Sequence, residues 1–588
     1  MARQQWSKRI EFFLTAVGYA VGVGDLWRFP YLVMKNGGGA FLIAIIFFNI
    51  IGAIPIVYLE MIMGQYSQSG AITVWSVCPL MKGIGLGTII VIFLYGVYYA
   101  VFISWMLFYF IHSFFPDPPW NTCDNDWNIP EKCITSSFHD VISQTDNVTT
   151  SPLTNATAMY TSLLATNVTN VDMETAAEQF LFYKTLKLSD GLHELGSINW
   201  PVAGCLLAIE VFCFFVIFKG INFSGKVVYF TVLGPFVMLI IFMIRGAILP
   251  GADIGIKLYL TPDLEKLKEP RIWVEACMQV IRSIGPGLGV MITFASHNKV
   301  TNNCLRDAVL VCLMDLTAGF LGGFVIFSVL GHVSYRTGID IRSFNQSGLG
   351  LGFVAYPEAA NFLPPSHLWC ALFFFMSIFL GIDSEFPAYE VVVTSVKDQF
   401  PDFFKGRTIH LTFAVIFSAF LLALPQVTQG GMYVLTLVDW YVGTFSVTVF
   451  ALVEVIVMVY VYGMKNLNDN VYSMTGKNIP IVFKLCWSFV SPVLLTVMLV
   501  FTVLTYRPPS YNNYHYPGWA VGLGWMIATC SLVPFPIYAI YKLYNTPGTL
   551  RERFRVNLQP TEDWGRRFKQ LSAEIIVESP PEYLLTKM

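Results

Sequence analysis

The residues most able to do chemistry lie in an apolar stretch, residues 10–34, which reads IEFFLTAVGYAVGVGDLWRFPYLVM. Three glycines interrupt this stretch, and Asp25 and Arg28 place charge within it. Each glycine weakens a helix by roughly 1 kcal/mol, and a charged side chain inside a membrane span is costly unless it has a function. A helix broken near the middle of a bilayer offers unpaired carbonyls to cations and free N–H groups to anions. The stretch therefore predicts a binding site for small ions and polar molecules.

Composition places these residues in a membrane protein. Of the 588 residues, 55% are hydrophobic and 13% are charged, whereas soluble proteins carry about 25% charged residues. The net charge of −2 and the lack of a long basic run exclude a nucleic-acid partner. No HExxH, GxSxG or nucleotide-binding loop occurs, so an enzyme is not predicted. The expected partners are a small-molecule substrate and the lipid bilayer.

Twelve apolar segments reach the length of about 20 residues that a helix needs to cross a bilayer. An even number of spans puts both ends of the chain on one side. The segments lie near residues 10–34, 39–64, 84–115, 199–218, 226–246, 272–296, 304–332, 366–396, 408–424, 432–462, 481–505 and 516–541.

A second break lies in the sixth segment, where residues 283–289 read SIGPGLG. Paired interruptions in corresponding helices of two halves are typical of inverted-repeat transporters. Because the two breaks are five spans apart, we predict an all-α polytopic fold of two five-helix repeats followed by two further helices. The divisions are then an N-terminal segment at 1–9, repeats at 10–246 and 272–462 joined by a loop at 247–271, the last two helices within 463–541, and a tail at 542–588.

Lysine and arginine residues flank the spans mainly on the side of the chain ends, which the positive-inside rule makes cytoplasmic. Both termini are then cytoplasmic, the chain is a multi-pass plasma-membrane protein, and the loop at 116–198 is extracellular. Segment 245–271 carries five basic residues on the outer side, but its four acidic residues favour a solvated helical loop. The polar tail is expected to make cytoplasmic contacts. The loop at 116–198 holds three acceptor sequences for N-glycosylation, at Asn147, Asn155 and Asn167.

Two of the eleven cysteines, Cys123 and Cys133, share that extracellular loop. A disulfide between them, formed in an oxidising compartment, is the favoured interpretation, and two unpaired surface thiols are the alternative. The other nine cysteines lie in or beside apolar segments and lack the spacing of metal ligands.

Several short motifs occur in order along residues 3–541. They are Trp27-Arg28-Phe29-Pro30-Tyr31 with Asn36-Gly37-Gly38-Gly39-Ala40-Phe41, Tyr58-Leu59-Glu60 with Gly64-Gln65-Tyr66, Ser283-Ile284-Gly285-Pro286-Gly287, Tyr356-Pro357-Glu358-Ala359, and Gly381-Ile382-Asp383-Ser384. With these motifs the chain resembles the neurotransmitter:sodium symporter family, solute carrier family 6, which has the fold of the bacterial leucine transporter. The resemblance implies sodium as a coupling ion and allows residue roles to be assigned one by one.

One sodium site implied by the resemblance, the family's second, keeps all of its side-chain oxygens. Sodium is a hard cation that prefers oxygen ligands, and an unwound helix supplies neutral carbonyls. The alternative role for Asp383, a buried acid paired with a lysine, is not favoured because no lysine lies in a neighbouring span at that depth. The implied ligands are the carbonyls of Gly18, Val21 and Leu380 and the side chains of Asp383 and Ser384.

The first sodium site departs from the family pattern. The resemblance implies the carbonyl of Ala20 and the hydroxyl of Ser283, but Asp25 and Asp315 stand where the family has asparagine. Two carboxylates beside one monovalent cation leave a net negative site. Arg282 stands where most relatives have the phenylalanine that covers the substrate, and it is the expected balancing charge because an unpaired arginine at that depth is costly.

We keep three interpretations of this atypical site. In the first, Arg282 replaces the sodium, and the protein keeps one coupling ion. In the second, Arg282 faces the substrate cavity and binds an anionic group of the substrate, while one acid is protonated or holds sodium. In the third, the site is degraded and the protein no longer transports.

The chloride site of chloride-dependent relatives is only partly present. Tyr58, Gln279 and Ser283 match it, but Gly319 replaces a serine and Asp315 replaces an asparagine. Loss of a donor and addition of a negative charge both disfavour a bound anion. We therefore expect weak or absent dependence on chloride.

Gly22 predicts the class of substrate through the resemblance. Amino-acid, glycine and GABA carriers have glycine at this position, whereas monoamine carriers have an aspartate that pairs with the amine. A substrate carboxylate would bind N–H groups of the first break and the Tyr99 hydroxyl, with help from the helix dipole. Glu385 is unusual at its position and would pair with a cationic substrate group or with Arg282. The implied substrate-binding residues are Tyr19, Gly22, Gly24, Tyr99, Arg282, Gly285, Gly287, Glu385 and Ala388.

Two gates are expected around the substrate site by the same resemblance. The outer gate pairs Arg28 with Asp439, with Tyr99 as the lid below. At the inner gate, His297 replaces the usual tyrosine, and either a gate role or a passive surface position is open for it. The inner gate consists of Arg3, Trp6, His297 and Asp398.

These assignments predict a sodium-coupled secondary active symporter that imports an amino acid or an amino-acid derivative by alternating access. A transport-inactive membrane scaffold or sensor that retains the fold is the alternative. The unusual charges at the first sodium site motivate that alternative.

Overall fold

The computed structural model describes residues 3–115, 117–134, 174–338, 340–343, 350–360, 363, 365–443, 445–511, 514–566, 568 and 570. Over these residues the fold is helical, with two pairs of very short strands. The predicted glycosylation sites Asn147, Asn155 and Asn167 lie outside the described residues, so they stay predictions.

Long apolar helices dominate the first half of the chain. They are α1 (Arg9–Ala20), α2 (Gly24–Lys35), α3 (Gly39–Phe48), α4 (Ile54–Ser67), α5 (Lys82–His112), α6 (Ala176–Gln179), α7 (Trp200–Ile217) and α8 (Ile221–Ala247). A π-helical turn at Asn49–Ala53 makes α3 and α4 continuous, and another at Phe180–Thr185 follows α6. Two 3₁₀ turns, Thr73–Val77 and Pro79–Met81, lead into α5.

The second half repeats this pattern. Its helices are α9 (Ala252–Leu260), α10 (Pro270–Ile284), α11 (Val290–Ala295), α12 (Cys304–Thr337), α13 (Tyr356–Ala360), α14 (Ser366–Gln399), α15 (Thr408–Ala423), α16 (Gly431–Val442), α17 (Ser446–Ile456), α18 (Met464–Thr475), α19 (Ile481–Leu485), α20 (Ser491–Leu504), α21 (Gly518–Leu532), α22 (Pro534–Asn545) and α23 (Leu550–Asn557). Short 3₁₀ turns occur at Lys266–Lys268, Ile341–Ser343 and Leu424–Val427, and π turns occur at Leu351–Ala355, Val457–Val461 and Cys486–Val490.

The strands lie in loops outside the helical bundle. β1 (Cys133–Ile134) pairs in parallel with β2 (Glu174–Thr175), and β3 (Ser510–Tyr511) pairs antiparallel with β4 (Tyr514–His515). Beside β1, Cys123 and Cys133 form a disulfide, as predicted.

The helices confirm the all-α polytopic class. Among the described residues, ten helices are long and apolar enough to cross a membrane, and α1 with α2, which meet at 48°, make an eleventh span. Each of these eleven overlaps a predicted segment. The remaining predicted segment, 272–296, does not form one continuous span because the structure divides it into α10 and α11.

Glycines allow the closest approaches between helices. A Cβ atom at Gly64 of α4 would collide with the backbone carbonyl of Ile292, so α11 lies directly against α4. A Cβ at Gly255 of α9 would collide in the same way with the Phe327 carbonyl of α12. Two short helices thereby pack directly against long ones.

Segment 245–271 is a helical, charged loop, as its composition predicts. It contains α9, and its charged side chains form exposed ion pairs such as Lys257 with Asp253 at 2.9 Å. The beginning of the tail also folds onto the bundle. The Thr561 N–H donates to the Ser76 carbonyl at 2.9 Å, and Trp564 packs on Tyr66 with ring centres 5.3 Å apart.

Candidate functional site

The break between α1 and α2 removes backbone hydrogen bonds that a continuous helix would make. The N–H of Gly22 donates to the Asp25 carboxylate at 3.3 Å, and the N–H of Val23 donates to the Tyr99 hydroxyl at 3.3 Å. The Asp25 N–H turns back to the Gly22 carbonyl at 3.1 Å. In an α-helix these N–H groups would bond four residues back, so the carbonyls of Gly18 and Val21 are released from those bonds. Both belong to the predicted second sodium site.

The break between α10 and α11 contains three glycines with left-handed backbone, Gly285, Gly287 and Gly289. Gly285 has φ +61° and Gly287 has φ +79°, a region that costs other residues strain. A Cβ at Gly285 would lie 2.5 Å from the Tyr19 hydroxyl, and one at Gly287 would lie 2.9 Å from the Val447 carbonyl. The freed N–H of Gly287 donates to the Glu60 carboxylate at 2.6 Å. The two breaks therefore face each other across Tyr19.

Asp383 lies on α14 beside the first break. Its side chain is buried, and neither carboxylate oxygen is at full hydrogen-bond distance from a partner within the described part of the chain, although the Thr231 side chain lies nearby. A Cβ at Gly18 would lie 3.3 Å from its carboxyl carbon, and the Ser384 hydroxyl donates to the Tyr19 carbonyl at 3.4 Å. A buried, unpartnered carboxylate is unfavourable unless a cation binds it. The residues predicted for the second sodium site thus fit a hard cation.

Asp25 and Asp315 lie together at the predicted first sodium site. Both line a cavity of about 20 Å³, together with Gln279 and Ser283. The Ser283 hydroxyl donates to Asp315 Oδ1 at 2.7 Å. These four side chains bring oxygen to the cavity, whose other walls include the apolar Phe29, Ile45, Val280 and Leu316, and its volume suits one small bound species.

Arg282 does not pair with these two acids. Its guanidinium contacts Asp439 Oδ1 at 3.4 Å, and both side chains are about 40% exposed. The expected pairing of Arg28 with Asp439 is therefore replaced by Arg282 in this conformation, although Arg28 lies near both side chains. Arg28 itself forms no salt bridge among the residues that the structure describes. This geometry does not favour the interpretation in which Arg282 replaces sodium.

The residues that match the chloride site of relatives lie in two different places. Gln279, Ser283 and Gly319 line the 20 Å³ cavity, whereas Tyr58 packs against Phe483 and Trp487 with ring centres 5.2 and 5.4 Å away. The Ser283 hydroxyl already donates to a carboxylate. That hydroxyl is therefore already engaged and is not free to donate to an anion.

The predicted substrate residues converge on the two breaks. A Cβ at Gly22 would lie 3.4 Å from the Tyr99 hydroxyl and 3.6 Å from the Ser384 hydroxyl, whereas one at Gly24 would meet nothing within 4 Å. Tyr99 stacks on Tyr95 with ring centres 5.1 Å apart. These residues leave room beside the first break and the Tyr99 hydroxyl.

Glu385 lies apart from Arg282, the partner that the sequence suggested. Its carboxylate interacts with Glu210 and Tyr389, and it lies 3.1 Å from where a Cβ at Gly96 would be. The Tyr389 hydroxyl donates to Glu210 Oε1 at 2.8 Å. Ala388, on the same helix, is fully buried. Glu385 thus lies between α5, α7 and α14.

The predicted inner-gate residues form one buried cluster. The Arg3 guanidinium pairs with Asp398 and donates to the Ser296 hydroxyl at 2.6 Å. His297 contacts the same guanidinium at 3.3 Å, and its Nδ1 contacts the Gln4 carbonyl at 2.7 Å. The Trp6 indole N–H donates to the Phe294 carbonyl at 3.1 Å. His297 is therefore part of the cluster and not a passive surface residue in this conformation.

The sequence did not assign roles to three residues of these sites. Glu60 receives the freed N–H at the second break, Ser296 joins the inner cluster, and Tyr98 lies beside Asp439. The Tyr58-Leu59-Glu60 motif contains a signal for the first of these, because an acid in an apolar span needs a partner.

Comparison with known proteins agrees with this geometry. Residues 3–546 match the model of the sodium:neurotransmitter symporter family. The chain belongs to this family. It is 39% identical over 568 residues to the sodium- and chloride-dependent GABA transporter 2 of Rattus norvegicus, covering 96% of this chain and 90% of that protein.

Other relatives have different substrates in their names. The sodium- and chloride-dependent glycine transporter 2 of Xenopus laevis is 37% identical, over 96% of this chain and 72% of its own length. The sodium-dependent dopamine transporter of Bos taurus is 38% identical, over 96% of this chain and 78% of its own length. This symporter family member is thus a membrane transporter of a small substrate coupled to sodium, and not an enzyme, while near-equal identities do not select a substrate.

Proposed function

We propose that this symporter imports a small carboxylated substrate, an amino acid or an amino-acid derivative, by alternating access. The observation that carries the coupling is Asp383, whose two unpartnered oxygens lie beside the carbonyls released by the first break. Sodium bound there would join α1 to α14 and would supply charge compensation at the site. The residues that would hold it are Gly18, Val21, Leu380, Asp383 and Ser384.

The carboxylated class rests on the space beside Gly22. A side chain at position 22 would approach the Tyr99 hydroxyl and fill the space beside the break between α1 and α2. The N-terminus of α2 carries partial positive charge that favours a carboxylate. Because Arg282 lies at the outer side of this region, it would bind an anionic group only as the substrate enters.

Dependence on chloride is proposed to be weak or absent. Asp315 supplies a fixed negative charge where a chloride would sit, and Ser283 donates to that carboxylate. The proposed orientation has both termini in the cytoplasm of a cell whose plasma membrane the helices cross, with the tail available for cytoplasmic contacts.

Uptake into proteoliposomes tests this function. Sodium-dependent thermal shift with the twenty amino acids, GABA and betaine first identifies a ligand, and its radiolabelled form is then assayed with sodium, without sodium, and with gluconate in place of chloride. We expect uptake to require sodium and to persist in gluconate. Asp383→Asn should abolish the sodium dependence, whereas the exposed Asp402→Asn should leave it unchanged.

A transport-inactive scaffold is the competing function, and the same assay decides between them. Sodium-dependent binding without uptake of any ligand would favour the scaffold. Uptake that collapses in gluconate would contradict the proposed chloride independence alone.

A further inference from the structure

His297, in the predicted inner gate, lies between two partners of opposite hydrogen-bonding character. Its Nδ1 atom lies 2.7 Å from the Gln4 carbonyl oxygen, and its Nε2 atom lies 3.3 Å from the Arg3 guanidinium. A carbonyl oxygen can only accept a hydrogen bond, and a guanidinium can only donate one. Nδ1 must therefore carry the proton, and Nε2 must offer its lone pair. The closed gate thus fixes His297 as the neutral imidazole.

A second proton on the His297 ring would disrupt this arrangement. Both nitrogens of an imidazolium are donors, so an N–H at Nε2 would face the N–H groups of Arg3 at 3.3 Å. The ring and the guanidinium would then carry like charges at that distance. Because His297 is 6% exposed, water would screen their repulsion only weakly. Protonation should therefore cost the closed gate an attractive contact and add a repulsive one.

The other groups around the ring are consistent with a neutral imidazole. Asp398, at the end of α14, is the carboxylate of the cluster, and it already pairs with Arg3. The Ser296 hydroxyl accepts from the same guanidinium, and the uncharged Trp6 ring meets the imidazole edge-on with ring centres 6.4 Å apart. Arg3 and Asp398 balance each other, so a proton on His297 would leave one positive charge in excess.

Opening of the gate would remove this penalty. A histidine in water has a pKa of about 6.5, so an exposed His297 would take up a proton near that pH, whereas the closed gate holds the neutral ring. The state that binds more protons gains stability as the pH falls. The contacts of the closed gate are therefore at full strength above about pH 6.5, and each further unit of acidification should favour the open gate by up to about tenfold.

We infer that His297 is a proton sensor that weakens the inner gate as the solution on that side of the membrane becomes acidic. This role rests on the proposed function in one respect, the assignment of the cluster to a gate. Tyrosine, the residue that the family resemblance implies at this position, keeps its proton up to about pH 10. The sensitivity to acid would thus belong to this chain and not to relatives that have the tyrosine.

Hydrogen exchange of the purified full-length protein at several pH values tests the sensor. The peptide around Trp6, whose backbone N–H donates to the His297 carbonyl at 3.2 Å, reports opening. Its exchange is compared between the unchanged protein and His297→Tyr at each pH, because this ratio removes the effect of pH on chemical exchange itself. We expect the ratio to be about tenfold higher at pH 5.5 than at pH 7.5.

Two further variants keep the test independent of one substitution. His297→Gln is neutral over the whole pH range, so the unchanged protein compared with it should give the same rise of the ratio. His410→Ala removes a histidine at an exposed position and should retain the full dependence on pH. A ratio that stays constant with pH overturns the sensor, and so does loss of the pH dependence in His410→Ala.

Uptake measured on the same preparations separates the sensor from the proposed function. Sodium-dependent uptake together with a constant exchange ratio overturns the sensor and leaves the transport function in place. A ratio that rises on acidification in a protein that takes up no ligand supports the sensor and overturns transport.

Discussion

The inner and outer gates hold their charges in different ways. At the inner gate the Arg3 and Asp398 side chains are 6% and 16% exposed, and Ser296, His297 and the Gly70 N–H bind the same pair. At the outer gate the Arg282 and Asp439 side chains are about 40% exposed and meet through one contact of 3.4 Å. The predicted inner gate is therefore closed by a network of contacts, and the predicted outer gate is held by a single solvated pair.

Because of this difference in burial, the two ion pairs should contribute different amounts of free energy to keeping their gates closed. Removing one partner of a buried pair costs about 3 kcal/mol or more because the other charge stays buried. An exposed pair contributes roughly 0.2–1 kcal/mol and is screened by salt. The inner gate should consequently decide which way the empty protein faces.

Of the three substitutions, Asp398→Asn should have the largest effect on opening of the inner gate. It leaves the buried Arg3 guanidinium without its counterion, so opening of the inner gate should become about 100-fold more favourable. Hydrogen exchange of the peptide around Trp6, whose N–H donates to the His297 carbonyl at 3.2 Å, measures this opening. The exposed Asp402→Asn, which removes a carboxylate four residues away, is the matched control and should exchange normally. Equal exchange in both variants would contradict the assigned gate.

His297→Ala should have a smaller effect of the same sign. It removes the contacts of the ring with the Gln4 carbonyl and the Arg3 guanidinium, each contributing about 1 kcal/mol. Exchange of the same peptide should rise by about thirtyfold. His410→Ala, at an exposed position, controls for loss of a histidine. If exchange in His297→Ala matched that of the control, His297 would have no role in the inner gate.

Arg282→Ala should have the smallest effect on the balance between the two gates. The lost pair contributes below about 1 kcal/mol, so the inner-gate exchange should change by less than about fivefold. The difference in exchange between Arg282→Ala and the unchanged protein should become smaller as the salt concentration is raised, because salt screens the exposed pair. A change as large as that of Asp398→Asn would show that the outer pair matters far more than its exposure indicates.

Much of the fold was readable because glycine, proline and charge are rare in membrane helices. The breaks at Gly22 and Gly285 and eleven of the spans were predicted on this basis, and the disulfide was predicted because its two cysteines share a polar loop. The division of the sixth segment was also anticipated, but the π-helical turns such as Asn49–Ala53 have no clear sequence signature.

The contacts of Arg282 and Glu385 could not be read in the same way. Each is adjacent in sequence to a predicted ligand, Ser283 or Ser384. The sequence suggested that Arg282 balances the two acids of the first sodium site and that Glu385 pairs with Arg282 or with a cationic substrate group. On an α-helix, however, consecutive side chains point about 100° apart. Arg282 therefore reaches Asp439 while Ser283 reaches Asp315, and Glu385 turns toward Glu210. The set of ligands was predictable, but the partner of a neighbouring residue depends on helix rotation and packing.

The contact of Gly64 with Ile292 has a mechanical consequence. With no space for even a methyl group between α4 and the carbonyl of α11, the two helices cannot slide past each other without collision. We expect a movement of α11 along this contact to move α4 as well. A Gly64→Ala change would then impede transport by forcing α4 and α11 apart, even though it touches neither an ion site nor the substrate region.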